Sequence, residues 1–194
     1  MNNQDKLIQI FESCVFHSKI NLNKKKLPHF LKIKKIYNSC VISNVGGYQS
    51  EIIDLEKCNL NELKVKIDEK VNFYLKNILK INYNLLKSFF WLNINNYKDY
   101  NHIHDHPSAI LSGVFYIKTP KDCGDIFFVN EFQINHFLPN SNVKEYNPLN
   151  SSIYNLKIEE FDLILFPSWI KHGVKQNLNQ KEERISLAFN YHIN

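Results

Sequence analysis

Arginine is almost missing from this chain. Of the 24 basic side chains in its 194 residues, 23 are lysine and only Arg184 carries a guanidinium. Other absences bound the function. Cys14, Cys40, Cys58 and Cys123 are widely scattered with no C-x-x-C spacing, which argues against a disulfide framework and for free thiols in a reducing, cytoplasmic setting. No apolar run approaches the ~18 residues of a membrane span, and the start, MNNQDKLIQIFESC, lacks the apolar core of a secretory signal. The lysine runs Lys24-Lys25-Lys26 and Lys32, Lys34, Lys35 have neither clustered arginine nor interleaved aromatics, so they read as a solvated face rather than a phosphate track. No internal repeat and no low-complexity linker divides the chain. Glycine and alanine are scarce while Asn, Lys and Ile abound; that is the codon bias of an AT-rich genome and carries no function.

What is present describes an ordered globule. A mass of 23.0 kDa with 44% hydrophobic and 13% aromatic residues fits one domain, 1–194, with a full core. Residues 1–87 are expected to form a mixed α/β support with one clear helix. Leu63, Ile67, Val71, Tyr74, Leu75 and Ile78 recur at three-to-four spacing, and Asn59 or Asn61 is the candidate cap. Gly46-Gly47 in SNVGGYQS marks a turn or a close backbone approach. From residue 88 the period shortens. The segments 88–95, 110–118, 124–130, 161–167, 172–176 and 184–192 are short, aromatic and β-branched, as strands of a β-sandwich or open barrel are. The fold class is therefore mainly β with flanking helices. The Asn/Ser/Pro-rich stretch 131–156 reads as a long insertion with one strand, placed to act as a lid.

Three places carry candidate chemistry. In NHIHDHP (101–107), His104 and His106 are two apart, so on a strand both imidazoles share a face. Imidazole suits Fe, Zn, Cu or Ni. His102 has the same parity and is the weaker third candidate, and a turn at Pro107 could re-aim Asp105. In LILFPSWIKHGV (163–174), His172 follows an apolar strand and can close a three-ligand site with two ligands from another strand; otherwise it is an exposed loop residue. In RISLAFNYH, Arg184, Ser186, Ala188 and Asn190 share one face, while Ile185, Leu187, Phe189 and Tyr191 form the core face. A lone arginine under such a lysine bias suggests a position where a planar bidentate fork is needed. The plain alternative is a surface pair with Glu182 or Glu183. Ser112 and Tyr116 share a face, which makes the Tyr116 hydroxyl a candidate partner for the same acid, and Trp91 and Asn93 share another.

Taken in order, SNVGGYQS, WLNIN, N-x-x-H-x-H-P, LSGVFYIKTP, GDIFF, LILFPSWIKHGV and RISLAFN resemble a conserved hypothetical family of 2-oxoglutarate–Fe(II) oxygenases from bacteria and phages, related to prolyl hydroxylase-like dioxygenases. The resemblance covers nearly the whole chain. It implies a double-stranded β-helix (a jelly-roll, cupin-like core) over 88–194, with His104, His106 and His172 as iron ligands. It also implies that Arg184, with Ser186, holds the distal carboxylate of 2-oxoglutarate; Tyr116, Ser112 and Asn93, read from their strand faces, are the further candidate co-substrate contacts. The chain departs from the wider superfamily in one position: His106 stands where Asp or Glu is usual, so Asp105 stays open as the second ligand.

The expected activity is an Fe(II)- and 2-oxoglutarate-dependent dioxygenase, a hydroxylase acting on an amino acid or a protein side chain. Its substrate is then a small molecule or peptide, without membrane or nucleic-acid partners, and a homodimer stays open. The alternative is a cupin-like metal protein that binds the same histidines without 2-oxoglutarate, and Arg184 discriminates between the two.

Overall fold

Alternating β-branched and aromatic residues build two antiparallel sheets whose inner faces meet. The computed structural model describes residues 13–23, 26–82, 86–131 and 143–193. One sheet contains β1 (Phe16–Lys19), β3 (Tyr48–Gln49), β4 (Leu86–Asn95), β6 (Leu111–Lys118), β9 (Asp162–Pro167) and β11 (Arg184–Ile193), in the order β1-β9-β6-β11-β4-β3. The other contains β2 (Asn44–Val45), β5 (Tyr100–His104), β7 (Ile126–Val129), β8 (Ile153–Leu156) and β10 (His172–Val174), in the order β2-β5-β10-β7-β8. This is a double-stranded β-helix, mainly β with two helices, α1 (Leu27–Ile36) and α2 (Asn61–Phe73).

The two faces of the larger sheet do different work. Ile185, Leu187, Phe189 and Tyr191 of β11 point outward and are buried under Phe30 and Ile33 of α1 and Leu63, Ile67 and Val71 of α2. Both helices thus bury one apolar stripe on the sheet, and this packing, not isolated propensity, holds them helical. The Tyr191 hydroxyl also donates to the Asp68 carboxylate of α2. The inner face carries a second apolar cluster, with Val114, Tyr116, Ile164 and Phe166 of the larger sheet packed against Ile126 and Phe128 of the smaller.

The expected helix is present, but its start and end differ from the pattern. No side chain caps it; Leu60 is the N-cap, and Asn59 is spent in a left-handed turn (φ 56°) where the Leu60 N–H donates to the Leu55 carbonyl at 2.9 Å. Asn is among the few side chains that tolerate that region. After Phe73 the chain takes one π-helical turn, Tyr74–Ile78, which lets Tyr74 and Leu75 stay buried beyond the α-helical stripe.

Residues before β4 are woven into both sheets. β1 pairs with β9, β3 with β4 and β2 with β5. The SNVGGYQS hairpin therefore buckles one sheet to the other. Gly46 takes φ +84°, and a Cβ on Gly47 would lie 2.5 Å from the Ile94 carbonyl oxygen: the first glycine supplies the turn, the second the close approach. Of the 131–156 insertion, the described part contributes β8, anchored by the Asn130 N–H on the Ser152 carbonyl at 2.9 Å; residues 132–142, on which the lid expectation rests, lie outside the described residues.

Gly113 measures how tightly the outer face is packed. A Cβ there would meet the Phe189 ring at 2.4 Å and Leu165 at 2.8 Å, so Gly113→Ala should destabilise the fold by about 1–3 kcal/mol. A urea titration that shows an unchanged midpoint would contradict this packing.

Candidate active site

His104 ends β5 and His172 begins β10, and the two are direct partners across the ladder. Three residues of β10 (His172 to Val174) span four of β5 (His104 to Asn101), which is a β-bulge. The bulge breaks the alternation assumed for NHIHDHP. Asn101 and His104 both line the cavity between the sheets, while His102 is turned outward and exposed. His106 reaches the same cavity from beyond the strand end. Its N–H donates to the Ser168 carbonyl at 3.0 Å, and a turn through Ser108 (φ 74°) carries the chain back toward β6.

The result is one cluster. Potential ligand atoms of His104, His106 and His172 all lie within 4.8 Å of one another, and no other such His/Cys/Asp/Glu group exists among the described residues. Asp105 is outside it. His172 is not an exposed loop residue; it is 5% exposed, its ring 4.5 Å from that of Phe166. Two of the three tautomers follow from hydrogen bonding. His104 Nδ1 lies 2.8 Å from the His102 carbonyl and His172 Nδ1 2.9 Å from the Ile170 carbonyl. A carbonyl can only accept, so each Nδ1 carries the proton and each Nε2 keeps a free lone pair. Burial draws His172 down to about 3 and His106 to about 4, with the neighbouring His104 adding repulsion in both cases; His104 is lowered by burial too. Three neutral imidazoles with their ligand atoms this close together could hold a metal ion.

A second set of polar groups lies deeper between the sheets. Arg184 is 1% exposed, which removes the surface alternative; Glu182 and Glu183 instead pair with Lys118 at 3.2 and 3.4 Å. Its Nη1 donates to the Cys123 carbonyl, to Gly124 O at 3.1 Å and to Lys175 O at 3.0 Å. Gly124 makes that cradle possible: at φ +83° it brings the β6–β7 loop so close to β10 that a Cβ would sit 2.3 Å from the Lys175 oxygen. The other nitrogen, Nη2, is buried with no partner, as is the Tyr116 hydroxyl. Burial pushes the Tyr116 phenol above the usual tyrosine range, against the pull of the Arg184 cation, so the hydroxyl keeps its proton and can donate. A buried polar group without a partner is costly, and two adjoining donors in that state suit a carboxylate.

Between the two sets, Ser186 and Asn93 are cross-strand partners that both line the cavity, and Tyr116 pairs with Ser186 on the other side. Ser112 does not join them. It pairs with Asn190, to which its hydroxyl donates at 2.8 Å, and four residues of strand at about 3.3 Å each separate it from Tyr116. Shared parity put both on one face but not at one end. Sequence patterns missed Ser43 and Asn101, which the β2–β5 pairing brings to the cavity wall; the only signal was polar residues at inward positions. They also missed the three carbonyls that hold Arg184, because backbone groups leave no sequence motif.

Comparison with known proteins shows the family and the fold. Residues 89–190, more than half of the chain, match the family described as "Putative 2OG-Fe(II) oxygenase". The chain belongs to that family: it is a 2-oxoglutarate-dependent oxygenase, with Fe(II) as cofactor and 2-oxoglutarate as co-substrate. No curated protein matches it in sequence. Among solved structures it is similar to a Pseudomonas putida prolyl-4-hydroxylase (13% identity, TM-score 0.62, covering 93% of this chain and 92% of that one). It is also similar to HygX from Streptomyces hygroscopicus, solved with nickel and 2-oxoglutarate bound (12%, 0.59, 93% and 83%). A third is a prolyl hydroxylase from Trichoplax adhaerens in complex with a hypoxia inducible factor peptide (14%, 0.62, 93% and 83%). These likenesses are of fold. Among the described residues no helix is long and apolar enough to cross a membrane.

Neutral buried histidines make the metal-free protein sensitive to acid. Unfolded imidazoles take up protons near pH 6.5, whereas His106 and His172 resist to about 4 and 3. The unfolded state thus binds more protons over this window, and stability falls as the pH drops from 6.5 toward 4. The expected slope is roughly 1.4 kcal/mol per pH unit for each group at most. Urea midpoints of chelator-treated protein at pH 7.5 and 5.5 check this; equal midpoints would contradict it.

Proposed function

We propose that His104, His106 and His172 bind Fe(II) through their Nε2 atoms, that Arg184 and Tyr116 hold the distal carboxylate of 2-oxoglutarate, and that the enzyme hydroxylates an amino acid or a protein side chain. The observation that carries this proposal is the pair of buried, unpartnered donors, Arg184 Nη2 and the Tyr116 hydroxyl, behind a cluster of neutral histidines. When bound there, Fe(II) with 2-oxoglutarate supplies coupled oxidation: O₂ is split so that one oxygen atom enters the substrate and the other enters succinate as CO₂ is released.

The chain's own residues do the rest. The Ile170 and His102 carbonyls fix two imidazole tautomers, so no proton has to leave before the metal binds. Three neutral imidazoles would leave the metal one negative charge poorer than a site with a carboxylate, so the co-substrate carboxylate at the metal end would be the nearest negative charge. The three-carbonyl cradle on Nη1 orients the guanidinium so that Nη2 is left for the ligand, which fixes the direction of the diacid. Ser186 and Asn93 line the way between the two ends. The cavity beside the histidines encloses about 40 Å³, so its walls must part to admit a five-carbon diacid. Phe128 and Phe166 keep bulk water from one side of the cluster. Proteins of similar fold have been solved with a peptide, in the Trichoplax prolyl hydroxylase, and with a small molecule, hygromycin B, in HygX.

His172→Ala should lose stoichiometric iron, whereas Asp105→Ala should keep it; metal analysis of folded protein checks both, and full iron in the His172 variant would overturn the ligand set. Arg184→Lys should retain iron but bind 2-oxoglutarate about 10- to 150-fold more weakly, because bidentate geometry is lost while charge is kept. Anaerobic titration of the metal-to-ligand charge-transfer band measures this, and equal affinities would remove Arg184 from the pocket.

A further inference from the structure

One buried asparagine touches neither the histidines nor the guanidinium, yet it constrains residues at both. Asn44, 4% exposed, lies at the start of the hairpin that buckles the sheets. Its Oδ1 accepts from the Gly47 N–H at 3.1 Å, and its Nδ2 donates to the Tyr48 carbonyl at 3.4 Å. A backbone N–H can only donate and a carbonyl can only accept, so these two contacts decide which way round the Asn44 amide sits. The hairpin permits no shift: a Cβ on Gly47 would lie 2.6 Å from Asn44 Oδ1 and 3.1 Å from Asn95 Nδ2.

With Asn44 fixed, its two neighbours on β4 have no choice either. Asn44 Nδ2 donates to Asn93 Oδ1 at 3.2 Å, and Asn95 Nδ2 donates to Asn44 Oδ1 at 3.3 Å. Asn93 therefore has its oxygen occupied and turns its N–H₂ to the cavity it lines beside the histidines. Asn95 has its N–H₂ occupied and keeps a buried, unpartnered Oδ1 at a position whose cross-strand partner is Arg184. One amide thus sets opposite polarities two residues apart: a donor at the metal end and an acceptor beside the cation.

We infer that Asn44 is a positioning residue that sets the hydrogen-bond polarity of the co-substrate pocket, acting through Asn93 to present an N–H donor to an oxygen of the bound 2-oxo acid. This rests on the pocket assignment made above. The ligand oxygens at the metal end are acceptors, so an Asn93 amide turned the other way would oppose an oxygen to an oxygen.

Asn44→Asp tests the relay because it keeps shape and removes the donor. The carboxylate still accepts from Gly47, but it can no longer donate to Asn93, whose amide must then turn its N–H₂ away from the cavity. Iron-loaded protein is titrated anaerobically with 2-oxoglutarate, following the charge-transfer band, for wild type, Asn44→Asp, Asn93→Ala and the double variant. Asn44→Asp should bind one iron and weaken 2-oxoglutarate at least ~10-fold, the scale of a lost or opposed hydrogen bond. In the Asn93→Ala background the same change should alter affinity less than about 2-fold, since the group through which it acts is gone. An unchanged affinity for Asn44→Asp would overturn the relay, as would an equal loss in both backgrounds, which marks a general structural role. Absence of the band in wild type would overturn the pocket itself and this inference with it.

Discussion

The interior must hold a guanidinium away from water, and much of the architecture follows from that. Burying an ion is costly unless its hydrogen bonds are satisfied. Arg184 meets the requirement on one side through the carbonyls of Cys123, Gly124 and Lys175, groups from two loops that are far apart in the chain. Those loops can converge only because Gly124 adopts a left-handed backbone where a side chain would strike Lys175. The other nitrogen of the guanidinium, Nη2, is buried without a partner, as is the Tyr116 hydroxyl, and that incompleteness is what the proposed binding role rests on.

The same logic places the histidines. A sandwich interior excludes water, so imidazoles there stay neutral, and neutrality, with the Nδ1 proton of His104 and His172 fixed by carbonyls, leaves lone pairs suited to a borderline metal ion. Position comes from an irregularity in the sheet. The bulge between Asn101 and His104 turns His104 inward and His102 outward, and the His106 N–H bond to the Ser168 carbonyl holds His106 at the same cavity. Bulges beside functional sites re-aim side chains in this way.

Polar residues on the cavity wall are arranged rather than scattered. Asn93, Asn101 and Ser43 line the cavity, and with Asn44 and Asn95 they hydrogen-bond to one another or to the hairpin backbone. A buried amide network of this kind is stabilising only when nearly complete. Of the four buried side-chain atoms left without partners among the described residues, Asn95 Oδ1, Arg184 Nη2 and the Tyr116 hydroxyl lie on neighbouring positions of β4, β11 and β6, and the fourth, Asp162 Oδ1, lies at the start of β9.

Much of this could be read along the chain. The β11 alternation separated core face from pocket face correctly, because residues on a strand alternate regardless of context. The α2 stripe was legible because an amphipathic helix repeats its apolar positions. The histidine cluster and the single arginine stood out by type and composition. Tertiary structure decided the rest, for physical reasons. Ser112 shared the face of Tyr116 yet sits at the other end of it, since parity specifies a side and not a height. His102 left the cluster because a bulge depends on the partner strand. Asn44 reached Asn93 across nearly fifty residues only because the hairpin pairs with both sheets. Residue type and period are local properties, and the sequence by itself determined those. Register, bulges and backbone carbonyls exist only between segments, so folding alone decided which side chains meet.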